Sequence, residues 1–233
     1  HGINDASIRI GLRLSKDETI VRMPFEVRHM GSKYPIFSFD FTGAKRGVLP
    51  ASYDYLRLEG RMQYRLNLPP IGYSQLMLEG GKIFGKVPYL LLKLHEGNGT
   101  YFYDRYAFSC MNFYEFSSDA WISFFYEHHF NGFLLGRVPL LKKLNWREVF
   151  VFKGVYGTLS ARNDGSLPNT KAVMLFPVGM SSVEHPYLET GFGIENIFRL
   201  LRVDCIWRLT HHRAVPGLSI PTFTVNFSLN LKF

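Results

Sequence analysis

The chain has 233 residues, 46% of them apolar and 16% aromatic, with a net charge of +8. It is too aromatic for a disordered chain and, with a mean hydropathy near zero, too polar for a bundle of membrane helices. No stretch approaches the roughly 18 uninterrupted apolar residues of a helical span, since the greasiest, residues 87–94, is broken by Pro88 and Lys93.

Taken from the N-terminus, a two-residue hydrophobic period appears at residues 8–14, 21–27, 37–41 and 56–68. The period means that one side of each strand is apolar and the other polar. In residues 56–68, Leu56, Leu58, Gly60, Met62, Tyr64, Leu66 and Leu68 alternate with Arg57, Glu59, Arg61, Gln63, Arg65 and Asn67. Residues 73–80 and 101–113 carry the period less regularly; 122–128, 149–155, 188–194 and 201–209 carry it well. The final segment is the strongest. Phe223, Val225, Phe227, Leu229, Leu231 and Phe233 alternate with Thr222, Thr224, Asn226, Ser228, Asn230 and Lys232.

About ten or eleven strands are thus expected, separated by turn signals at 30–33, 43–50, 69–70, 95–100, 162–165 and 214–217. Residues 87–94 and 133–144 read as short amphipathic turns, each interrupted by a proline.

Strands of this length exceed the five or six residues usual in soluble sandwiches and suit a tilted bilayer crossing of about 9–11 residues. The expected fold is all-β: the C-terminal segment of an antiparallel transmembrane β-barrel, one domain over residues 1–233 and a fragment of a longer chain. The opening at His1, without methionine or a signal-like segment, also reads as a trimmed product. Tyr53, Tyr55, Tyr101, Tyr103, Tyr106, Trp121, Trp146, Tyr156, Tyr187 and Trp207 lie near expected strand ends, as aromatic girdles do.

In such a barrel Arg57, Glu59, Arg61, Arg65, Glu127, Arg147, Glu189, Glu195, Arg202, Asp204 and Arg208 face the lumen, where mixed charges either pair or bias permeation. Phe223, Phe227 and Phe233 form the terminal signal that an assembly machinery reads. With Phe233 at the periplasmic end, counting backwards makes 211–219 and 158–186 external, as long loops should be. The same count puts both 130–145 and 81–100 on the inner side, where turns should be short. Either the strand count is off by one or the inner connections are unusual.

Residues 128–132 (His-His-Phe-Asn-Gly) and 137–149, from Arg137-Val138-Pro139 through Asn145-Trp146-Arg147-Glu148-Val149, resemble the C-terminal region of DUF5686, a family of Bacteroidetes outer-membrane proteins without an assigned activity. Residues 113–119, 186–196 with Glu189, Gly191, Gly193 and Glu195, and 201–209 with Arg202-Val203-Asp204 extend the likeness over roughly residues 80–233. The resemblance implies a signal sequence and a carboxypeptidase-regulatory-like β-sandwich ahead of the barrel. It also implies a distant similarity to Omp85-type assembly barrels, in which a glycine-bearing strand and an Arg-Val-Asp strand precede the last.

Candidate chemistry is sparse. His128 and His129 adjoin Glu127, with Glu115 and Asp119 nearby, but neighbours on a strand face opposite ways, so only one histidine can reach any single metal site. His211 and His212 fall in a loop. Ser123 with His128 is a conceivable hydrolase pair but lacks a Gly-x-Ser-x-Gly turn. Gly80-Gly81 and Gly191-x-Gly193 precede no helix, which makes them marks of close backbone approach and not phosphate loops. Cys110 and Cys205 show no ligand spacing and read as two unpaired thiols.

The basic residues are dispersed, which argues against nucleic acid. No cofactor, metal or catalytic residue is assigned. The expected function is an integral outer-membrane barrel of a Gram-negative bacterium acting in transport or surface assembly. Its partners would be outer-membrane lipid and lipopolysaccharide, the barrel assembly machinery and other outer-membrane subunits. A lipid-modifying membrane enzyme and a soluble all-β ligand-binding protein are the alternatives.

Overall fold

A computed structural model describes residues 4–48, 50–167, 171–212 and 219–229. Nine strands form one sheet: β1 (Ile8–Leu14), β2 (Ile36–Ala44), β3 (Tyr55–Asn67), β4 (Tyr73–Gly85), β5 (Ala120–His129), β6 (Arg147–Thr158), β7 (Tyr187–Ile197), β8 (Leu201–Arg208) and β9 (Phe223–Leu229). Spatial order follows chain order, and every neighbouring pair is antiparallel. Each strand therefore pairs with its sequence neighbour, the topology that alternating segments joined at their ends give with least crossing. The outermost strands β1 and β9 do not pair with each other, so the described residues form an open sheet and not a closed barrel.

Several expectations are corrected. Residues 101–113 are not a strand, because their polar atoms are satisfied by bonds to the sheet face and to the edge of β9 instead of a ladder of their own. Residues 21–27 span the turn of a separate hairpin, Thr19–Arg22 against Val27–Gly31. The main sheet accordingly has nine strands, fewer than the ten or eleven read from periodicity.

Losing 101–113 as a strand moves 86–100 to the end that holds the other long connections but leaves 130–146 where the count had put it, so half of the conflict over connections stands. The described parts of 45–54, 86–119, 159–186 and 209–222 lie at one end of the sheet, whereas 130–146 lies at the opposite end with 15–35 and the short turns 68–72 and 198–200. At that second end 133–144 forms the short turns expected of it, a 3-10 turn at Leu135–Arg137 and one helical turn at Pro139–Lys142. Residues 87–94 form a 3-10 turn, Tyr89–Leu91, and a two-residue strand, Lys93–Leu94.

The registers carry the alternation from strand to strand without a slip that would flip a face, apart from a bulge between Ile194 and Ile197. One face collects Ile10, Leu12, Phe39, Phe41, Leu58, Leu76, Phe124, Phe150, Phe192, Val203 and Phe227. Aromatic contacts knit it across strands, as in Phe124 with Phe152 at 6.1 Å and Phe150 with Phe192 at 5.2 Å. The other face carries Arg57, Arg61, Glu79, Glu127, Lys153, Glu189, Arg202, Asp204 and Arg208.

The core lies on the polar side. There the connection 86–119 folds back over the sheet, and Phe108, Met111 and Phe116 pack against Met77, Phe125, Val155 and Tyr187 of the wall. A second cluster joins Val87 and Leu92 to Ile83 and Trp121. Two glycines permit close approach: a Cβ on Gly81 would fall 2.6 Å from the Trp121 ring, and one on Gly193 would fall 2.2 Å from Asp204 Oδ1. The reading of these glycines as sites of close contact holds.

Candidate functional site: an ion-paired cover on the polar face

Parity decides which charges can meet. Odd-numbered positions of β3 to β7 and even-numbered positions of β8 point to the polar face, so Glu127, Glu189, Arg202, Asp204 and Arg208 converge although far apart in sequence. All five are buried. Charges removed from water must be paired and hydrogen-bonded to be tolerated, and the connection 86–119 supplies much of that pairing.

Arg202 is the hub. Its Nε donates to Asp204 Oδ2 at 2.7 Å, and its Nη2 reaches Asp204 Oδ1 at 2.8 Å and Glu127 Oε1 at 3.2 Å. Glu127 also accepts from Arg105 Nε at 2.8 Å and from the Tyr103 hydroxyl, both on the cover. Two cations lie over the Tyr103 ring, Arg202 at 4.4 Å and Lys153 Nζ at 4.5 Å from its centroid. His129 completes this end, with Nδ1 3.2 Å from Glu195 and Nε2 3.4 Å from Glu127.

Further anchors tie the cover to successive strands. Lys153 Nζ donates to the carbonyls of Asp104 (2.8 Å) and Ala107 (2.6 Å). Glu189 accepts from the backbone N–H of Ser109 and Cys110 at 2.9 and 2.7 Å and from Tyr187 at 2.6 Å. Arg208 pairs with Glu115 at 2.6 Å and donates to the Cys110 carbonyl at 3.2 Å. Glu79 holds Lys93 at 2.8 Å and Arg61 at 2.6 Å. Asp119 closes the segment by accepting from Ser160 and Asn163.

Burial shapes the titration of the cover's own groups. It holds the His95 imidazole down at about 3, with Lys93 adding to the effect, and pushes the Cys110 thiol up to about 12 with help from Glu189. His95 Nε2 lies 2.9 Å from Ser118 Oγ.

Of the charges expected on this face, Arg57 pairs with Glu59 at 2.7 Å within β3, and Arg65 stacks on Tyr73 at 4.0 Å. Arg147 faces Glu195 across β6 and β7. Glu79, Lys93, Tyr103, Arg105, Glu115 and Lys153 were not among the expected lumen residues. Glu79 and Lys153 share the parity of Arg61 and Val151 and were readable by extending the alternation; the cover residues have no period to read.

The side chains singled out for chemistry in the sequence do not come together. Ser123 and His128 point to opposite faces of β5, so they form no dyad. His128 instead contacts Ser74 Oγ at 2.8 Å and the Ile71 carbonyl at 2.9 Å. Glu115 is held by Arg208, away from both histidines. His211, half-buried, has Nε2 2.8 Å from the His185 carbonyl. No cluster of three or more metal-ligating side chains occurs among the described residues. Both cysteines are free thiols. Phe223 and Phe227 lie on the exposed apolar face, and Phe233 falls outside the described residues.

No curated protein matches this chain. A family model described as the C-terminal domain of a family of unknown function, DUF5686, matches residues 4–161. The match includes the His128 to Val149 run and reaches further toward the N-terminus than the likeness read from the sequence, while residues 186–196 and 201–209 lie beyond it. The match spans well over half of the chain, which therefore belongs to the DUF5686 family through its C-terminal domain.

Proposed function

We propose that this chain is the C-terminal wall of an outer-membrane β-barrel that folds its own connection 86–119 into the lumen, and that it serves outer-membrane or surface assembly as a structural and not a catalytic part. One observation carries the reading. The face away from the cover is apolar across all nine strands and exposed, with Ile10 at 65%, Phe192 at 60% and Leu229 at 60%. Its only charged residues on the sheet, Lys82 and Glu148, sit close to strand ends.

A water-soluble sheet of this extent would bury that face; a bilayer covers it without a partner layer. Strands of 13, 13, 10, 12 and 11 residues at β3 to β7 are long enough to cross at a tilt. On this reading outer-membrane lipid and lipopolysaccharide bathe the apolar face and the barrel assembly machinery inserts it. The end bearing 86–119, 159–186 and 209–222 is external. The cover favours assembly over free diffusion, because it occupies the polar side of β4 to β8. An assembly role is also the direction in which the Omp85-type likeness points.

The test is single-cysteine labelling in a background lacking Cys110 and Cys205. F192C and F227C in intact outer membranes should react with a bilayer-restricted probe and resist an aqueous maleimide. Efficient aqueous labelling of both would overturn the reading. The full-length protein should also show no steady open conductance in planar bilayers; a constant open pore would remove the assembly role and favour transport.

A further inference from the structure

The connection 130–146 takes no part in the cover and reaches the apolar side of the sheet instead. Glu148, at an even-numbered position of β6, shares the face of Phe150, and its carboxylate accepts from the backbone N–H of Leu135. The turn at Leu135–Arg137 is thereby held against the apolar face at the strand end. Around it Leu134, Val138, Leu140 and Leu144 are exposed, Leu140 at 76%. The same stretch carries Arg137, Lys142 and Lys143 and no carboxylate. Apolar side chains interleaved with cations, at the rim of an exposed apolar face, suit the headgroup level of a bilayer.

The turn between β7 and β8 extends this surface. Its central residues, Phe198 and Arg199, both have left-handed backbone, with φ of 49° and 67°. Asparagine or glycine would hold that conformation with less strain, yet this turn displays a ring that is 85% exposed with a cation beside it. Asn196 Nδ2 donates to the Asn145 carbonyl at 2.7 Å and ties the turn to the connection. Between the two opens a cleft of about 480 Å³ whose wall includes Lys142, Arg147, Arg199, Asn145 and Trp146 and no carboxylate. Lys142 and Arg199 are exposed, Arg147 is half-buried, and none of the three makes an ion pair among the described residues.

Unpaired cations in a cleft call for an oxyanion, and the leucines and phenylalanine beside them call for an apolar chain on the same molecule. A zwitterionic headgroup would bring an ammonium of its own into the cluster, against like charge. We propose that this cleft binds an acidic glycerophospholipid of the periplasmic leaflet, its phosphate against Lys142 and Arg199 and its acyl chains along the apolar face. The site rests on the barrel reading, which puts this end of the sheet at that leaflet.

The experiment is native mass spectrometry of the full-length protein released from non-ionic detergent micelles that contain equal amounts of phosphatidylglycerol and phosphatidylethanolamine. Phosphatidylglycerol should be retained at least about 10-fold more than its zwitterionic counterpart. K142Q/R199Q should bring the two lipids within about 2-fold of each other, while K142R/R199K should keep the preference. R162Q/K171Q removes the same charge from exposed positions at the opposite end and should leave the preference unchanged.

A preference that survives K142Q/R199Q, or falls equally in R162Q/K171Q, overturns the proposal. Equal retention of the two lipids by the parent also overturns it and leaves an acidic protein segment as the occupant of the cleft. The F192C and F227C labels keep the two readings apart. Lipid-phase labelling without a lipid preference removes the cleft assignment alone, whereas aqueous labelling removes the barrel reading beneath it.

Discussion

Replacing Arg202 by methionine tests the ion-paired wall most directly. The Arg202 side chain is 3% exposed and that of Asp204 is fully buried. Every hydrogen bond to the Asp204 carboxylate among the described residues comes from Arg202, three in all. R202M therefore strands one carboxylate in the interior, while Glu127 keeps Tyr103, Arg105 and His129. Breaking a buried pair from one side costs about 3–5 kcal/mol, mostly the penalty of the orphaned charge. Replacing both partners, as in R202M/D204L, removes that penalty and should return stability to within about 1–2 kcal/mol of the parent. The coupling energy of the double-mutant cycle should then be at least about 1–4 kcal/mol, raised by whatever D204L costs alone. Urea unfolding of the full-length protein in lipid vesicles, followed by tryptophan fluorescence, reads all four corners. The reasoning fails if R202M costs less than about 1 kcal/mol, or if the double variant is no more stable than the single.

Three further outcomes are expected. His95 is held near 3 in the folded chain against 6.5 unfolded, so the unfolded state binds the extra proton between those values. The stability it contributes is complete above pH 6.5 and is lost as pH falls toward 3. The loss at pH 5.5 should be about 1.4 kcal/mol, and the urea midpoint of H95Q should move less between pH 7.5 and 5.5. Cys110, buried and pushed up to about 12, should resist aqueous maleimide at pH 8 in the folded protein and react within minutes once the chain is unfolded in urea. G193A sets a methyl group 2.2 Å from Asp204 Oδ1 and should lower the urea midpoint by the equivalent of about 1–3 kcal/mol; G43A, where nothing lies within 4 Å, is the matched control.

Most of the sheet was legible because strand alternation is a local property. A run such as Leu56 to Leu68 announces both its period and its two faces without reference to any other segment. Parity even foretold that His128 and His129 would part company, one to Ser74 and the other to Glu127 and Glu195. What could not be read was the cover. Residues 101–113 alternate loosely because the Tyr103 and Arg105 side chains reach the wall while Phe102 turns away, a pattern that mimics a strand although the backbone of Tyr101 to Tyr103 pairs strand-like only with Phe227 at the edge of β9. Their fate depends on Glu127, some two dozen residues on, and no local window contains that information. The hairpin at Thr19–Arg22 and Val27–Gly31 was missed for the opposite reason, since its turn at 23–26 lies inside a run that alternates through it.

The cover also explains why charges of the same parity have different fates. On β1 and β3 the polar face remains open, and the side chains of Arg9 and Arg61 are 65% and 50% exposed. On β5 to β8 the corresponding positions are dry, because 86–119 lies over them. Alternation gives both halves the same sequence signature, so burial here is a property of the wall and the connection together. A carboxylate such as Glu127 would be costly without Tyr103 and Arg105, and that connection, poor in regular structure, has little to fold against without Glu127, Lys153 and Glu189. Each makes the other tolerable, which is why the fully buried ion pairs cluster where the connection crosses the strands, while Arg9 with Asp40 on β1 and β2 stays exposed.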